Sequence, residues 1–377
     1  MSHLDDILKN RLEQKGNTFR RLKPILQYRP RYLTIKNNGV IKHVLNFASN
    51  DYLGLSNLIT DIEIESQPSS RLLGGNLLSL EQIENELAEF MSFESATILQ
   101  SGYVANQGLL ACLAMKGDLI LADYSVHASL IDGMRLSHAE WKRFKHCDLS
   151  DLEGKIKKYK DQYEHIWVVA ESLFSMDGDT FPMEGLIALK NQYNFSIVLD
   201  EAHGFGIYGE QGRGLAHQLK LSSKVDIMTF NFSKALALQG GVILGSQHLK
   251  PYLVNRCRPL IYSTATPWSH LATVPLKLAE VKIADDKRKH LEVLSRYAQQ
   301  RLGLKLPMWS PIVPIELSDH EKTKQISQKL LEHNIFCPAI LPPTVPENKA
   351  RLRLSINSSH EKEDLDQLFE VLHHFRK

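Results

Sequence analysis

Two polar residues that follow apolar, β-branched stretches are the chemically most informative positions of this sequence. Asp200 comes directly after residues 196–199, Ser-Ile-Val-Leu, and Lys234 comes shortly after residues 227–230, Ile-Met-Thr-Phe. Reactive groups of a parallel α/β sheet gather at the carboxyl ends of its strands, so we expect these two side chains to lie close together. A carboxylate that bonds a pyridinium nitrogen and a lysine that forms a Schiff base are the two groups that pyridoxal phosphate needs. The pair therefore predicts a pyridoxal-phosphate site.

The surroundings of Lys234 are those of a buried lysine. An apolar stretch leads to it, and Gly240-Gly241 followed by Val-Ile-Leu-Gly comes after it. Burial lowers the pKa of an amine, which must lose its proton to form an imine near neutral pH. Most lysines are solvated, and an aspartate at a strand end is more often a loop cap than a catalytic group. The presence of each of these two residues therefore supports a catalytic interpretation of the other.

Three further strand ends carry polar groups that suit the same cofactor. Residues 101–103, Ser-Gly-Tyr, lie between a strand and a helix, where free backbone N–H groups and the helix dipole favour a phosphate. His127 follows a strand and a short loop, and Ser175 follows the apolar residues 166–170. Taken alone, residues 101–103 could equally form a plain strand-to-helix turn, and His127 could equally be a core histidine. Five such strand ends in one regular order favour a single site.

The order of elements predicts an α/β fold with a second, smaller lobe. Strands are expected at residues 96–99, 119–122, 166–170, 195–199, 225–230 and 242–244. Helical stretches separate several of them, which is typical of a mostly parallel sheet with crossover helices. A helix over 271–302 is followed by strands at 314–317, 335–340 and 351–356. The predicted parts are an N-terminal helix and hairpin segment (1–48), a large α/β domain (49–267) and a small C-terminal α+β domain (268–377).

Composition narrows the classes of function. The 377 residues carry a formal net charge of +2, which gives no reason to expect a nucleic-acid partner. The four cysteines, Cys112, Cys147, Cys257 and Cys337, form no Cys-x-x-Cys pair, which argues against a zinc site and a disulfide framework. The N-terminus lacks the pattern of a signal peptide, and no apolar run reaches membrane length. We therefore predict a cytoplasmic protein with no metal and no membrane partner.

Two local motifs point to other proteins, and their contexts reject both. Asp200-Glu-Ala-His203 resembles a helicase box, but no Gly-x-x-x-x-Gly-Lys-Ser/Thr phosphate loop precedes it. Residues 204–209 match a dinucleotide fingerprint formally, but Gly212 and Gly214 interrupt the helix that should follow.

With these residues assembled, the chain from about residue 46 onward resembles the α-oxoamine synthases, a family of fold-type I pyridoxal-phosphate enzymes. Several motifs carry the resemblance, and together they are highly specific. They are Ser49-Asn50-Asp51-Tyr-Leu-Gly-Leu-Ser, Ser101-Gly-Tyr-Val-Ala-Asn-Gln, His127-Ala-Ser, Phe174-Ser-Met-Asp-Gly-Asp, Asp200-Glu-Ala-His-Gly-Phe-Gly, Gly209-Glu-Gln-Gly-Arg-Gly and Tyr262-Ser263-Thr264. The family fold is a large domain with a mostly parallel sheet and a smaller C-terminal α+β domain, in agreement with the order of elements.

The resemblance implies a role for each matching residue. Lys234 is expected to hold the cofactor and to remove the α-proton of the bound amino acid, while Asp200 keeps the pyridine nitrogen protonated. Arg353 is expected to bind the substrate carboxylate, because a guanidinium can grip it through two hydrogen bonds. The remaining roles are stacking on the ring by His127, hydrogen bonds to its phenolic oxygen from His203 and Ser175, phosphate binding by Ser101, Gly102, Tyr103 and Asn231, phosphate contacts of Ser263 and Thr264 made across a dimer, and substrate contacts of Asn50 and Arg21.

The tail of the chain indicates the branch of the family. Leu341-Pro-Pro-Thr-Val-Pro and Ala350-Arg-Leu-Arg-Leu-Ser are very similar to the branch that serves biotin synthesis. That branch implies a decarboxylative condensation of L-alanine with a pimeloyl thioester, carried on coenzyme A or on acyl-carrier protein, by a homodimer. The main alternatives are relatives that use glycine, such as 2-amino-3-ketobutyrate ligase and 5-aminolevulinate synthase. Others are serine palmitoyltransferase, the enzymes that make α-aminoketone signals, and a catalytically silent binding subunit. A silent subunit commonly lacks the lysine that is present here at position 234.

Three positions depart from the family pattern. The family usually has Gly-Thr where this chain has Phe230-Asn231, and the asparagine amide is expected to replace the threonine hydroxyl on the phosphate. Ala237 stands where glycine is common. The segment 59–72 is shorter than usual. The family places this region near the substrate entrance, so the acyl chain is the least defined part of the substrate.

Overall fold

A computed structural model describes residues 3–13, 22–37, 39–58, 62 and 66–376 of the chain. The strands within these residues are β1 Ile25–Tyr28, β2 Tyr32–Asn37, β3 Val40–Asn46, β4 Ser95–Leu99, β5 Asp118–Asp123, β6 Glu140–Phe144, β7 His165–Glu171, β8 Ser196–Asp200, β9 Ile227–Asn231, β10 Gly241–Gly245, β11 Ile312–Ser318, β12 Ile335–Phe336, β13 Ala339–Ile340 and β14 Ala350–Ser355. The α-helices are α1 His3–Glu13, α2 Leu78–Met91, α3 Gly102–Leu113, α4 Ala128–Leu136, α5 Leu149–Tyr159, α6 Met183–Tyr193, α7 Leu215–Gln218, α8 Leu249–Arg256, α9 Arg258–Tyr262, α10 Trp268–Leu271, α11 Thr273–Lys282, α12 Asp285–Leu302, α13 His320–Glu332 and α14 Lys362–Arg376.

A seven-stranded sheet in the order β4-β10-β9-β8-β7-β5-β6 forms the centre of the molecule. Strand β10 runs antiparallel to both of its neighbours, and the other pairings in the sheet are parallel. The inner strands are apolar without alternation, because helices cover both faces of such a sheet. In β8, for example, Ile197, Val198 and Leu199 are all fully buried. The α/β class and the six strands expected in this part of the chain are thus confirmed.

Crossover helices bring the polar strand ends to one edge of this sheet. Helix α3 follows β4, α4 follows β5 and α6 follows β7, so the chain returns to the same side before each following parallel strand. Consecutive parallel strands therefore end at the same edge, and the residues directly after them face a common crevice.

Two smaller sheets involve the C-terminal part of the chain. Strands β1-β2-β3-β12 form one, and β11-β14-β13 form the other. Strand β12 pairs in parallel with β3, with Ile335 opposite Leu45, so the tail joins the N-terminal strands in one sheet. The backbone N–H of Ser355 also donates to the carbonyl oxygen of Phe47 at 2.9 Å. The first and last parts of the chain consequently form one packed unit.

Three expectations about elements were wrong. Residues 335–340 form two short strands in different sheets, and Pro338, which has no backbone N–H, lies between them. The helix expected over 271–302 is two helices, α11 and α12; the longer begins at Asp285 and Asp286, whose carboxylates favour a helix N-terminus. Strand β6 was missed because it lies at the sheet edge and its residues are mostly polar and only partly buried. Among the described residues, no helix is both long and apolar enough to cross a membrane.

Candidate active site

The carboxyl ends of the central strands bring the predicted residues to one crevice. Glu171 and Asp200 are the last residues of β7 and β8 and lie opposite each other in the parallel register. Asn231 ends β9, and Ser101 precedes α3. Lys234 follows β9 by three residues, and the charges of Asp200 and Glu171 both affect its pKa. The polar residues expected at the strand ends therefore lie together at one edge of the sheet.

Asp200 is held in the crevice by hydrogen bonds that orient its carboxylate. Its Oδ2 accepts from Nδ2 of Asn106 at 2.7 Å, and its Oδ1 accepts from the backbone N–H of Ala202 at 2.8 Å. Asn106 is fixed in turn, since its Oδ1 accepts from the Thr229 hydroxyl at 2.7 Å and its Nδ2 also donates to Ser129 at 3.1 Å. A carboxylate oxygen has further lone pairs, so Asp200 can also accept from a protonated ring nitrogen.

Lys234 has the properties of an imine-forming amine. Its side chain is half-buried, and it forms no ion pair with any residue that the structure describes. Burial lowers the pKa of Lys234 to about 8, although the carboxylates of Asp200 and Glu171 oppose this change. Burial, reinforced by the neighbouring Asp200, raises the pKa of Glu171 well above its usual range. A neutral amine is therefore accessible near physiological pH.

The ring of His127 is fixed by hydrogen bonds at one edge. Its Nδ1 accepts from the backbone N–H of Ser129 at 3.2 Å and lies 2.8 Å from the hydroxyl of the same residue. Its backbone N–H donates to Glu171 Oε1 at 2.5 Å, and the Tyr103 ring contacts it edge-on with centroids 6.0 Å apart. The side chain is nonetheless exposed. An immobilised and accessible imidazole suits stacking on a flat ring.

His203 is neutral and bonded to Tyr52. Its Nδ1 lies 2.6 Å from the Tyr52 hydroxyl, and both side chains are buried. Burial, with the positive charges of Lys234 and Arg353 adding to it, lowers the pKa of His203 well below its usual range. Burial also raises the pKa of Tyr52 to about 12. The Nε2 atom of His203 is left for a bond to another group, as the predicted contact with a phenolic oxygen requires.

Arg353 connects Asn50 to the segment after β7. Its Nη1 and Nη2 atoms both donate to Asn50 Oδ1 at 3.1 Å, and its Nε donates to the backbone oxygen of Ser175 at 2.5 Å. Nη1 also donates to the Ser355 hydroxyl at 2.5 Å. The fork that was expected to grip a substrate carboxylate is therefore filled by an amide oxygen of the chain itself. Asn50 and Ser175 are both placed at the site, next to Arg353.

The N-terminus of α3 forms a cradle of a size and charge that suit a phosphate. The Ser101 hydroxyl accepts from the backbone N–H of Val104 at 3.2 Å. A Cβ atom built on Gly102 would lie 2.8 Å from Asn231 Cβ, and one on Gly241 would lie 2.4 Å from the Ser101 carbonyl oxygen. Only glycine lets these backbones approach so closely, which leaves N–H groups of the helix N-terminus unobstructed. Asn231 lies against this cradle, at the position where the family usually has threonine.

The other predicted residues lie at different distances from this cradle. The Tyr103 hydroxyl donates to Asp132 of the neighbouring helix α4. Thr264 is exposed, and its backbone oxygen accepts from Gln100 Nε2 at 3.0 Å, while Ser263 is half-buried beside it. Arg21 lies outside the described residues. Contacts of Ser263 and Thr264 across a dimer remain a prediction.

Three residues of the site had no role in the sequence analysis. Asn106 orients Asp200, Tyr52 binds His203, and Glu171 contacts the backbone of His127. Tyr52 and Asn106 lie within motifs that carried the family resemblance, and Glu171 directly follows an apolar strand. Their positions were thus visible, but their partners lie up to 151 positions away in sequence. Ala237 has a positive φ of 48°, which explains why glycine is common at this position.

An oriented carboxylate, a lysine of lowered pKa and an open helix N-terminus at one edge of such a sheet define the class of protein. These residues fit pyridoxal phosphate: Asp200 would bond its ring nitrogen, Lys234 would form the Schiff base, and the N-terminus of α3 would hold its phosphate. The family model for aminotransferase class I and II matches residues 42–372, and the chain belongs to this family. It is a pyridoxal-phosphate-dependent, acyl-transferring enzyme, as its relatives are.

The relatives narrow the class further. A protein of Haemophilus ducreyi (strain 35000HP / ATCC 700724), named 8-amino-7-oxononanoate synthase, is 36% identical over 371 residues, which cover 93% of this chain and 95% of the relative. A protein of the same name from Alkaliphilus oremlandii (strain OhILAs) is 35% identical over 343 residues, 88% of this chain and 87% of that one. The matched region extends over nearly all of both chains.

Solved structures show the same fold. Serine palmitoyltransferase of Sphingomonas wittichii has a TM-score of 0.88 at 28% identity and covers 99% of this chain and 97% of its own. The 8-amino-7-oxononanoate synthase of Francisella tularensis has a TM-score of 0.74 at 27% identity and covers 88% of this chain and 97% of its own. The prediction of an α-oxoamine synthase is thereby confirmed.

Proposed function

We propose that this enzyme condenses L-alanine with a pimeloyl thioester to give 8-amino-7-oxononanoate, carbon dioxide and the free thiol. The observation that carries the proposal is the near full-length similarity to enzymes of that name, which cover 93% of this chain in one case and 88% in another. The tail motif that includes Arg353 supports the same branch. The reaction belongs to the biotin pathway, and we place it in the cytoplasm.

The residues of the site perform separable tasks in this reaction. Bound pyridoxal phosphate supplies an electron sink for the carbanion at the α-carbon. Asp200 keeps the ring nitrogen protonated, and Lys234, once its amine is free, takes the proton from the α-carbon. Neutral His203 and Ser175 hold the phenolic oxygen. The loss of carbon dioxide after carbon–carbon bond formation makes the condensation effectively irreversible.

Arg353 binds the carboxylate of alanine in this proposal. The site supports this role because the Asn50 oxygen already occupies the guanidinium fork as an acceptor at 3.1 Å. A carboxylate is a stronger acceptor for a guanidinium than an amide oxygen is. We therefore expect the substrate to displace Asn50 from the fork, and Asn50 then turns toward the bound substrate.

A second candidate is an acyltransferase that condenses serine with a long-chain thioester. The observation that favours it is the higher TM-score of 0.88 to a serine palmitoyltransferase, against 0.74 for an 8-amino-7-oxononanoate synthase. The two candidates share the cofactor residues and differ in the amino acid and in the acyl chain.

Thiol release from the cofactor-loaded enzyme distinguishes these functions. Pimeloyl, palmitoyl, acetyl and succinyl thioesters of coenzyme A are each paired with L-alanine, L-serine and glycine, and Lys234→Ala serves as the inactive control. We expect release only with pimeloyl-CoA and alanine. Release confined to palmitoyl-CoA and serine would establish the second candidate, and release with glycine and a short chain would move the enzyme to the glycine-using branch. Repetition with pimeloyl-acyl-carrier protein tests the carrier.

We also propose that the working enzyme is a homodimer in which Ser263 and Thr264 contact the phosphate bound by the other subunit. Thr264 is exposed, and its backbone oxygen accepts from Gln100, which lies just before α3; this position supports the arrangement. Light scattering on the purified enzyme measures the mass directly. A monomer that retains full activity would overturn the proposal.

A further inference from the structure

A histidine outside the described site is bonded between two carboxylates. His146 follows β6, and its Nδ1 lies 2.8 Å from Oδ1 of Asp123, the last residue of β5. Its Nε2 lies 3.0 Å from Oδ2 of Asp179, in the segment after β7. Because each ring nitrogen faces a carboxylate oxygen, the ring must donate from both nitrogens and carries a positive charge. His146 therefore bridges two separate loops.

Each of these loops carries a residue that we expect to contact bound pyridoxal phosphate. Asp123 Oδ1 also accepts from the backbone N–H of Ser125 at 2.8 Å, which orders the loop leading to His127. Asp179 belongs to the segment that contains Ser175. The geometry thus couples the position of the stacking histidine to that of a phenolic-oxygen contact through one imidazolium.

The second loop is tightly built around His146. The Phe174 ring contacts the imidazole edge-on, with centroids 4.4 Å apart at 89°. The Phe174 backbone N–H donates to the Asp179 carbonyl oxygen at 3.0 Å, so the segment closes on itself. A Cβ atom on Gly178 would lie 2.0 Å from the Ile312 carbonyl oxygen. A displacement of Asp179 would therefore be transmitted to Ser175 and not absorbed by a flexible loop.

Charge, and not metal coordination, organises this group. Asp123, His146 and Cys147 have potential ligand atoms within 4.8 Å of one another. Both nitrogens of the ring are already bonded to carboxylates, and the Cys147 thiol lies 3.8 and 3.9 Å from them. Burial opposes protonation of His146, but the hydrogen bonds to Asp123 and Asp179 prevail and raise its pKa to about 12. Asp123, Asp179 and Cys147 are the titratable groups that face it among the described residues.

We propose that His146 is a positioning residue that sets the spacing of His127 and Ser175 around the cofactor ring by linking Asp123 to Asp179. The inference rests on the cofactor assignment and not on the identity of the substrates. Loss of the imidazolium leaves two carboxylates facing each other without a counter-charge, so the two loops separate and the ring is held less tightly.

The test measures the dissociation constant of pyridoxal phosphate for His146→Gln, Asp179→Asn, the double variant and His165→Gln. His165 is a matched control. It is half-buried on the same sheet, with its ring 4.6 Å from that of Trp167, but it is the first residue of β7 and so lies at the opposite end of the strand from the site. We expect His146→Gln to weaken cofactor binding by about tenfold or more. At metal sites, losing a residue that orients a ligating side chain commonly has an effect of this size. The double variant should be no weaker than His146→Gln, because the two residues act as one pair.

A second readout separates positioning from general destabilisation. The visible absorbance band of the bound cofactor should change in His146→Gln, since its phenolic oxygen is less well held, while the band of His165→Gln stays as in the parent. Where His146→Gln fails to fold, Asp179→Asn, which keeps its size, carries the same test. Wild-type affinity and an unchanged band in folded His146→Gln and Asp179→Asn would overturn the proposal. Cofactor binding needs no substrate, so a wrong substrate assignment leaves this result intact.

Discussion

At the scale of single residues, burial determines the chemistry of the site. The same environment that lowers the pKa of Lys234 to about 8 also lowers the pKa of His203 well below its usual range. Both effects favour the neutral form, which is the nucleophilic form of the amine and the form of imidazole that has a free lone pair. Hydrogen bonds from Asn106 and Ala202 orient the Asp200 carboxylate, as its proposed bond to the ring nitrogen requires.

The lowered pKa of Lys234 predicts the pH dependence of cofactor loading. Only the unprotonated amine attacks the aldehyde, so the second-order rate constant of loading should rise about tenfold per pH unit below pH 8 and level off above it. Stopped-flow absorbance of the cofactor-free protein measures this rate. The reaction of free N-acetyl-lysine under the same conditions corrects for titration of the cofactor itself.

Asp200→Asn is the matched variant for this profile. The Asp200 charge raises the pKa of Lys234, so its removal should shift the midpoint of the loading profile to lower pH. A parent midpoint at or above pH 10 would contradict the burial of this amine, and a shift of the variant to higher pH would contradict the assigned role of Asp200.

Asn50→Asp tests whether the guanidinium fork binds the substrate carboxylate. The new carboxylate would occupy the place of Asn50 Oδ1, 3.1 Å from both terminal nitrogens of Arg353, and would compete with the amino acid. We expect KM for the amino acid to rise by about tenfold or more, because a charged pair is harder to displace than an amide. Steady-state kinetics at saturating thioester measure this, and Asn50→Ala, which leaves the fork empty, is the control. Equal KM values for all three proteins would place the carboxylate elsewhere.

At the scale of elements, the N-terminus of α3 is closely packed against the ends of two strands. Its first turn is capped by Ser101, packed against Asn231 and approached by Gly241 of β10. Strands β9 and β10, which lie far from β4 and α3 in sequence, thus meet the N-terminus of α3. Close backbone packing replaces side-chain contacts here, which leaves the N–H groups free for an anion.

Gly102→Ala should weaken cofactor binding by about tenfold or more without unfolding the protein. The added methyl would lie 2.8 Å from Asn231 Cβ and 3.1 Å from its Nδ2, so the cradle must widen. Gly154→Ala in α5 is the matched control, because a Cβ atom there meets nothing within 4 Å. That control should keep its affinity and gain up to about 1 kcal/mol in the free energy of unfolding. Titration calorimetry and urea unfolding compare the two, and equal affinities would show that the cradle tolerates expansion.

At the scale of the whole molecule, the tail holds the N-terminal part of the chain in place. Asn357 Nδ2 donates to the Pro30 carbonyl oxygen at 2.9 Å, and the Ser358 backbone N–H donates to the Tyr52 carbonyl oxygen at 2.8 Å. His360 stacks on Phe47 with centroids 4.5 Å apart. Since Tyr52 also bonds His203, this contact surface continues into the site.

The buried His360 makes the stability of the protein sensitive to acid. Burial lowers the pKa of His360 to about 4, while the unfolded chain binds the proton near its usual 6.5. The unfolded state therefore binds more protons between these values, so the free energy of unfolding falls as pH decreases from 6.5 to 4, by about 3 kcal/mol in total. Urea unfolding at several pH values should show this loss in the parent, and His360→Asn should lose about 3 kcal/mol less than the parent over the same pH range. Parallel curves for the two proteins would contradict it.

Local patterns along the chain were enough to predict the class of this protein. Apolar runs without alternation predict buried parallel strands, and a polar residue at the end of each run predicts where the chemistry lies, because both signals are local. Asp200, Lys234, His127 and residues 101–103 were all found in this way, and the family motifs then assigned their roles. Those roles remain predictions for experiment, and the structure places the strand ends that carry these residues at one edge of the central sheet.

The hydrogen-bond partners that orient the predicted site residues became visible only in the tertiary structure. Asn106 meets Asp200, Tyr52 meets His203 and His146 meets Asp179, and no pattern in sequence pairs them. The fork of Arg353 is filled by Asn50, from the other end of the chain, 303 positions away. Strand and helix periodicity come from local backbone geometry, which a short stretch of sequence encodes. Hydrogen-bond partners depend on how distant elements pack, and that arrangement exists only once the whole chain has folded.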